Sequence, residues 1–226
     1  MEIERGAFFT FEGGEGAGKS TQIKLLADYL SGLNYSVLTL REPGGTPIGE
    51  EIRHTLKHSN VNAAMVPETE LLLMNASRAQ LVREIIRPAL QEGKIVLSDR
   101  FYDSSMAYQG YGRGLDLNKV KNVIDFSVGD TRPDLTFLIN INPQQSEENR
   151  KLRAASLPFV RDRFEEADRK FFESVYVAFN EIAKSEPYRI KVIPYLHGHL
   201  EGMQTQIRDI TRTFMQLNTR EYSRPK

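Results

Sequence analysis

Eight consecutive residues, Gly13-Gly14-Glu15-Gly16-Ala17-Gly18-Lys19-Ser20, constrain this chain more than any other stretch. They satisfy the pattern of a phosphate loop, in which glycines let the backbone turn so that several N–H groups converge on one point. The flanks agree with the pattern. The apolar run Ala7-Phe8-Phe9-Thr10-Phe11 reads as a buried strand, and Gly18 to Leu30 as a helix with Ile23, Leu25, Leu26 and Leu30 on its inner side. A loop placed between a strand and a helix N-terminus offers an anion both the amide donors and the positive end of the helix. Lys19 adds a point charge for the outer phosphates, and Ser20 adds a hydroxyl ligand for Mg2+. The loop is therefore expected to hold a nucleoside triphosphate with magnesium. A plain glycine-rich turn capping an ordinary helix would need neither the preceding strand nor the Lys-Ser pair. The loop identifies a ligand and leaves the reaction open.

The remaining sequence alternates strands and helices. Tyr35 to Leu40, Ile95-Val96-Leu97, Leu135 to Ile141 and Arg189 to Ile193 read as four further strands. Between them, Pro67 opens a long helical pattern running towards Leu90, with Gly93 as its stop signal; Phe164 to Lys184 and Leu200 to Leu217 are also helical. Asn142-Pro143 reads as a break. Strands separated by helices argue for a parallel sheet covered on both faces. The expectation is an α/β, phosphate-loop NTPase-type three-layer fold: a single domain over residues 1–217, a mobile excursion at about 143–166 and a polar tail at 218–226.

Composition narrows the setting. The 30 basic and 30 acidic side chains cancel, so no overall field points to nucleic acid or a membrane surface, and any anion site must be built locally. There is no cysteine, which removes disulfides, zinc thiolates and thiol catalysis and fits a reducing compartment. No apolar stretch reaches membrane-spanning length, and a cytoplasmic location is the expectation.

A second group of charges falls at strand ends. Arg41 follows the second strand and Asp99-Arg100 the third, on the sheet edge where open parallel sheets bind ligands. Guanidinium groups grip phosphate through paired hydrogen bonds, so two arginines beside a phosphate loop suit a small phosphorylated acceptor. A GTP switch would need Asn-Lys-x-Asp; Asn118-Lys119-Val120-Lys121 ends in a base instead and reads as the start of a solvated helix.

Phe11 to Thr21, then Arg41-Glu42-Pro43-Gly44-Gly45, then Asp99-Arg100-Phe101-Tyr102-Asp103-Ser104-Ser105 with Ala107-Tyr108-Gln109-Gly110, resemble bacterial thymidylate kinase in order and spacing from Phe8 to about Leu217. The resemblance implies a homodimeric enzyme with a five-stranded parallel sheet, transferring the terminal phosphoryl group of ATP to dTMP with magnesium. It implies that Gly13, Gly14, Glu15, Gly16, Ala17, Gly18, Lys19, Ser20 and Thr21 hold ATP, and that Ser20 and Asp99 serve the metal. By the same resemblance Glu15 receives the 3′-hydroxyl, Arg41 and Arg100 hold the acceptor phosphate, and Arg78 bonds the thymine edge. Ser105 and Gln109 lie near the base, and Tyr108 packs on the sugar.

The family branch with an arginine inside the loop is excluded, because the variable positions here are Glu15-Gly16-Ala17. The bacterial branch takes that arginine from a lid, which points to Arg153 first and Arg161 second as catalytic partners of Lys19 and Arg100. Two features depart from the family. Met74 stands where a phenylalanine usually stacks on the base, and Ile193-Pro194-Tyr195 replaces the usual residues near the adenine. A deoxyribonucleoside kinase and a non-catalytic nucleotide-binding subunit are the alternatives; the paired arginines weigh against the first, and Lys19, Ser20, Asp99 and Arg100 against the second.

Overall fold

The strand before the loop is buried at every residue, and this places it at the centre of the sheet. Residues 6–59, 61–156, 164 and 167–222 are described by the structure, a computed structural model. β1 (Phe8–Glu12) leads through the loop into α1 (Lys19–Gly32), and β2 (Val37–Arg41) leads into α2 (Pro47–Lys57), a short 3-10 turn and α3 (Pro67–Leu81). The last of these continues through a π-helical turn, Val82–Ile86, into α4 (Arg87–Gln91). β3 (Ile95–Asp99) is followed by α5 (Tyr102–Ser105), a second π-helical stretch, Met106–Gly112, and α6 (Leu117–Val128). β4 (Leu135–Asn140) precedes α7 (Pro143–Ser156) and α8 (Arg169–Ser185), and β5 (Ile190–Pro194) precedes α9 (Leu200–Tyr222).

All strand pairs are parallel, in the order β2-β3-β1-β4-β5. Alternation along β1 sends Phe9 and Phe11 into one apolar layer with Leu26 and Leu30 of α1 and Met203 and Ile207 of α9. Phe8 points to the other layer, with Leu81, Val82, Ile86, Leu90, Val120 and Ile124. A third cluster packs α8, through Phe171, Phe172, Val175 and Phe179, against Tyr108 and Leu138. Helices therefore cover both faces of the five-stranded sheet, the three-layer architecture expected. Register completes the arrangement: Phe11 and Arg41 both pair with Asp99, so the phosphate loop, Arg41 and Arg100 emerge together at the carboxyl edge.

Several boundaries differ from the sequence reading. Arg41 and Asp99 are the last residues of their strands rather than the first residues after them. The long helical pattern from Pro67 is continuous to Gln91 only by way of its π-helical turn, just before Pro88, which has no N–H to give. Asn142-Pro143 is a start and not a break: Asn142 Oδ1 accepts from Gln145 N at 2.9 Å, and Pro143 fits the first helical position. The helix expected from Phe164 begins instead at Arg169, where Asp168 caps it by accepting from Phe171 N at 2.8 Å. The final helix passes Leu217 and runs to Tyr222, so most of the expected tail is helical. Of the excursion at 143–166, residues 143–156 and 164 are described; Arg161 lies outside the described residues, and of Arg153 only the backbone, on α7, is described. Among the described residues, no helix is long and apolar enough to cross a membrane.

Candidate active site

The phosphate loop is held by backbone geometry that only glycine adopts without strain. Gly13 has φ of 129°, and a Cβ there would lie 2.4 Å from the Ile139 carbonyl oxygen. Gly16 has φ of 73°, and its Cβ would meet that of Asn149 at 2.8 Å. Lys19, buried, donates to the carbonyls of Gly13 and Gly14 at 3.1 and 2.9 Å. Burial, then the nearby Arg100, pushes its ammonium below the ordinary lysine value, while Glu15 and Asp99 oppose that. Ser20 Oγ donates to Asp99 Oδ2 at 2.6 Å, which joins the two expected metal ligands across the loop.

Arg100 occupies a left-handed backbone, with φ of 73°, which costs a non-glycine residue about 1–3 kcal/mol and persists only where neighbours impose it. The neighbours are identifiable. Its own N–H donates to Phe11 O at 3.0 Å, and the next N–H, of Phe101, donates to Glu12 Oε1 at 2.8 Å. Glu12 also accepts from Ser104 Oγ at 2.6 Å, and Ser104 Oγ accepts from Arg100 Nη1 at 2.9 Å. Burial and the adjacent Asp103 push the Glu12 carboxyl up to about 7, against the pull of Arg100 and the hydrogen bonds.

The head of Arg100 reaches the loop. Nη1 donates to Gly13 O at 3.1 Å, and Nη2 donates to Glu15 Oε1 at 2.7 Å and to Tyr108 OH at 3.2 Å. Burial alone would raise the Glu15 carboxyl, but Arg100, Lys19 and Lys57 hold it well below the usual carboxylate range. Burial pushes the Tyr108 phenol up to about 12, so it stays protonated. An acid inside a phosphate loop is thus neutralised by an arginine from β3.

Two cavities meet at this pair. A groove of about 430 Å³ is lined by Glu15 to Thr21, Arg41, Arg53, Lys57, Asp99, Arg100 and Asn149. A smaller, more apolar pocket is lined by Met74, Arg78, Ser105, Tyr108, Gln109 and Phe164, and shares Glu15, Glu42, Lys57 and Arg100 with the groove. Every base-side residue expected from sequence therefore faces one pocket. Among the described residues Arg41 pairs with Glu50, at 3.0 Å and with both side chains about half exposed, so that pair does little to hold it from another anion. Arg78 is the opposite case. Its guanidinium makes four hydrogen bonds: Nε donates to Glu42 Oε2 at 2.8 Å, Nη1 to Asn75 Oδ1 and Ser105 Oγ at 2.9 Å, and Nη2 to Phe101 O at 3.1 Å, with Nη2 also 2.8 Å from Glu42 Oε2.

Sequence reasoning missed Arg53 and Lys57. They are one turn apart on α2, and the start signal was present: Thr46 Oγ1 accepts from Gly49 N at 3.0 Å, with Pro47 in the first turn. Glu12 and Ser104 were inside recognised blocks but had no assigned task. α7 also reaches the loop, where Ser146 Oγ donates to Glu15 O at 2.7 Å and Asn149 Nδ2 to Gly16 O at 2.9 Å. Arg150 of the same helix stacks over Phe172, 4.0 Å from the ring centroid.

A family model described as thymidylate kinase matches residues 11–207. The chain is 50% identical over 194 residues to a thymidylate kinase of Chlorobium luteolum, covering 84% of this chain and 89% of that one. It is 41% identical over 206 residues to a thymidylate kinase of an Exiguobacterium strain, covering 91% and 94%. The crystal structure of thymidylate kinase from Ehrlichia chaffeensis superposes with a TM-score of 0.73 at 33% identity, over 91% of this chain and 98% of that one.

Proposed function

The chain belongs to the thymidylate kinase family, and from that premise we propose that it transfers the terminal phosphoryl group of ATP to dTMP, giving dTDP and ADP. The observation that carries this reading is the Glu15–Arg100 pair, which lines both the triphosphate groove and the apolar pocket. A 5′-phosphate held there by Arg100 and Arg41 lies between the two cavities, with an oxygen directed at the terminal phosphorus of the donor. Phosphoryl transfer asks little covalent chemistry of a protein; it asks for alignment and positive charge, which Lys19, Arg100, Arg53 and Lys57 supply around the groove.

Glu15 is the acceptor for the sugar 3′-hydroxyl, and its depressed pKa keeps it charged for that hydrogen bond. Met74 and Phe164 close over the base, and Tyr108 packs beside the sugar. Ser20 and Asp99 would hold Mg2+. Their two oxygens fit an ion that takes only one or two protein ligands and fills its shell with phosphate and water, and no cluster of three or more acidic or imidazole side chains able to cage a metal occurs among the described residues. When bound, the ion would neutralise charge on the outer phosphates. The chain is read as one kinase domain whose lid includes α7. Arg153 and then Arg161 are its catalytic candidates, and Ser146 and Asn149 are its contacts to the loop.

We further propose a homodimer in the cytoplasm. Ile48 on α2, Leu72 on α3 and Phe126 on α6 are large apolar side chains more than half exposed, and a second copy would cover them. Light scattering should give about twice 25.8 kDa.

The test of function is a substrate panel. Purified protein with Mg-ATP should release ADP fastest with dTMP, more slowly with dUMP, and not at all with thymidine. Turnover of another nucleoside monophosphate at least as fast as dTMP overturns the assignment. Turnover of thymidine would favour a nucleoside kinase, and no turnover at all a binding subunit.

A further inference from the structure

Beside the base pocket, but not lining it, lies a buried acid. Glu70, in the first turn of α3, is 0% exposed and does not line the pocket. Its Oε1 accepts from Gln109 Nε2 at 2.8 Å. The same carboxylate takes Arg113, with Nε 3.3 Å from Oε1 and Nη2 3.1 Å from Oε2. The Arg113 guanidinium in turn lies over the Phe171 ring, 4.4 Å from its centroid. Gln109 itself, on the second π-helical stretch, is buried and lines the pocket.

A side-chain amide can be placed either way round, and here the partner decides. A carboxylate paired with arginine accepts hydrogen bonds and offers none, so only the orientation with nitrogen towards Glu70 is satisfied. The carbonyl oxygen is then the polar end of Gln109 available to the pocket.

Resting on the dTMP reading above, we propose that Glu70 is a positioning residue. It locks the Gln109 carbonyl towards the base, where that oxygen accepts the ring N–H of a keto pyrimidine. Thymine and uracil carry that N–H. Cytosine presents a bare ring nitrogen at the same place, so two acceptors would face each other with no proton between them. A buried site built around a hydrogen bond rejects an analogue that cannot complete it far more strongly than it rejects a missing methyl. Glu70 would thus set the choice among pyrimidines without touching one.

The experiment compares kcat/KM for dTMP and dCMP in the wild type and in Glu70→Gln, whose amide can meet Gln109 in either orientation. The dTMP:dCMP ratio is expected to fall by at least about tenfold in the variant, chiefly through KM. A purely structural role for Glu70 would lower both values together and leave the ratio where it was; that result overturns the proposal. If the variant does not fold, the wild type is assayed with dTMP methylated at the ring N–H. Loss of about tenfold or more in kcat/KM supports an acceptor facing that position, and undiminished turnover overturns it. A wild type that prefers another monophosphate to dTMP overturns the functional reading and this proposal together. A wild type that prefers dTMP, with an unchanged ratio in Glu70→Gln, overturns the Glu70 assignment alone.

Discussion

Replacing Arg78 by methionine isolates what a buried charge pair contributes to this fold. Arg78 and Glu42 are 2% and 3% exposed, and Nε and Nη2 both lie 2.8 Å from one carboxylate oxygen. Methionine keeps much of the stem volume and removes all five donors. Asn75 Oδ1 retains the Ser127 hydroxyl as a donor, and the Ser105 hydroxyl can rotate. Phe101 O and the Glu42 carboxylate lose their partner, and the carboxylate dominates because it is charged. Breaking a buried pair from one side costs about 3–5 kcal/mol. For a chain of this size that is roughly 6–20 °C in Tm.

The pH dependence has a definite sign. Burial already raises the Glu42 carboxyl above its ordinary 4.5, against the pull of Arg78. Without Arg78 it rises further. A carboxyl raised in the folded state binds its proton more tightly there, so its penalty is absent below the unfolded value and grows as pH climbs above it. The variant should therefore lose least stability near pH 5 and most near pH 8. Adding Glu42→Gln should recover much of the loss, a coupling that a double-mutant cycle measures directly. Thermal and urea unfolding of the four proteins provide the assay. A single variant within about 2 °C of wild type at pH 8, or a loss that deepens as the pH falls, would refute the claim that this charge is confined.

Three further outcomes follow from the site. Lys19→Ala should abolish turnover, by at least roughly 10²-fold in kcat, because it removes the one cation inside the loop; steady-state kinetics at saturating ATP would read this. Arg41→Ala should raise KM for dTMP about tenfold or more while changing stability by less than about 0.5 kcal/mol, since its pair with Glu50 is solvent-exposed; an unchanged KM would move the acceptor phosphate to Arg53 or Lys57. Arg153→Ala should lower kcat, by up to roughly 10³-fold, and leave dTMP binding intact; wild-type turnover would transfer the lid role to Arg161.

The parts of the site legible in the sequence are those that a few adjacent residues specify. A phosphate loop is a local backbone solution, so Gly13 to Ser20 announce it unaided. Arg41, Asp99 and Arg100 were legible because an apolar strand ends beside them, and the register of a parallel sheet does the rest. Arg53 and Lys57 were obscured by a helix whose only full burial besides Gly49 is Leu56, too thin an apolar stripe to register as periodicity. Glu70 was obscured for the opposite reason. It sits in a run of acidic residues, Glu68-Thr69-Glu70, and the Gln109 and Arg113 that partner it come from 39 and 43 residues along the chain. The start of α7 is not legible at Asn142-Pro143, because Asn-Pro can end one element or cap the next, and the dipeptide does not distinguish these.

These hidden residues share a feature with the legible ones. Arg100 has a backbone that its side chain disfavours, Glu12 is an acid buried beside Asp103, and Glu15 is an acid within a phosphate cradle. Each breaks a local rule, and each is compensated by the next: Glu12 fixes the Phe101 amide and Ser104, Ser104 steadies Arg100, and Arg100 neutralises Glu15. The chain of hydrogen bonds runs from the end of β1, across β3, back to the loop that follows β1. A disturbance at Glu12 should therefore be felt at the acceptor phosphate, although no atom of Glu12 lines either cavity. Because the same loop also receives Ser146 and Asn149 from α7, the groove, the apolar pocket and that helix are referred to a single stretch of backbone. The glycine at position 16 also serves this packing, since a Cβ there would lie 2.8 Å from that of Asn149 on α7.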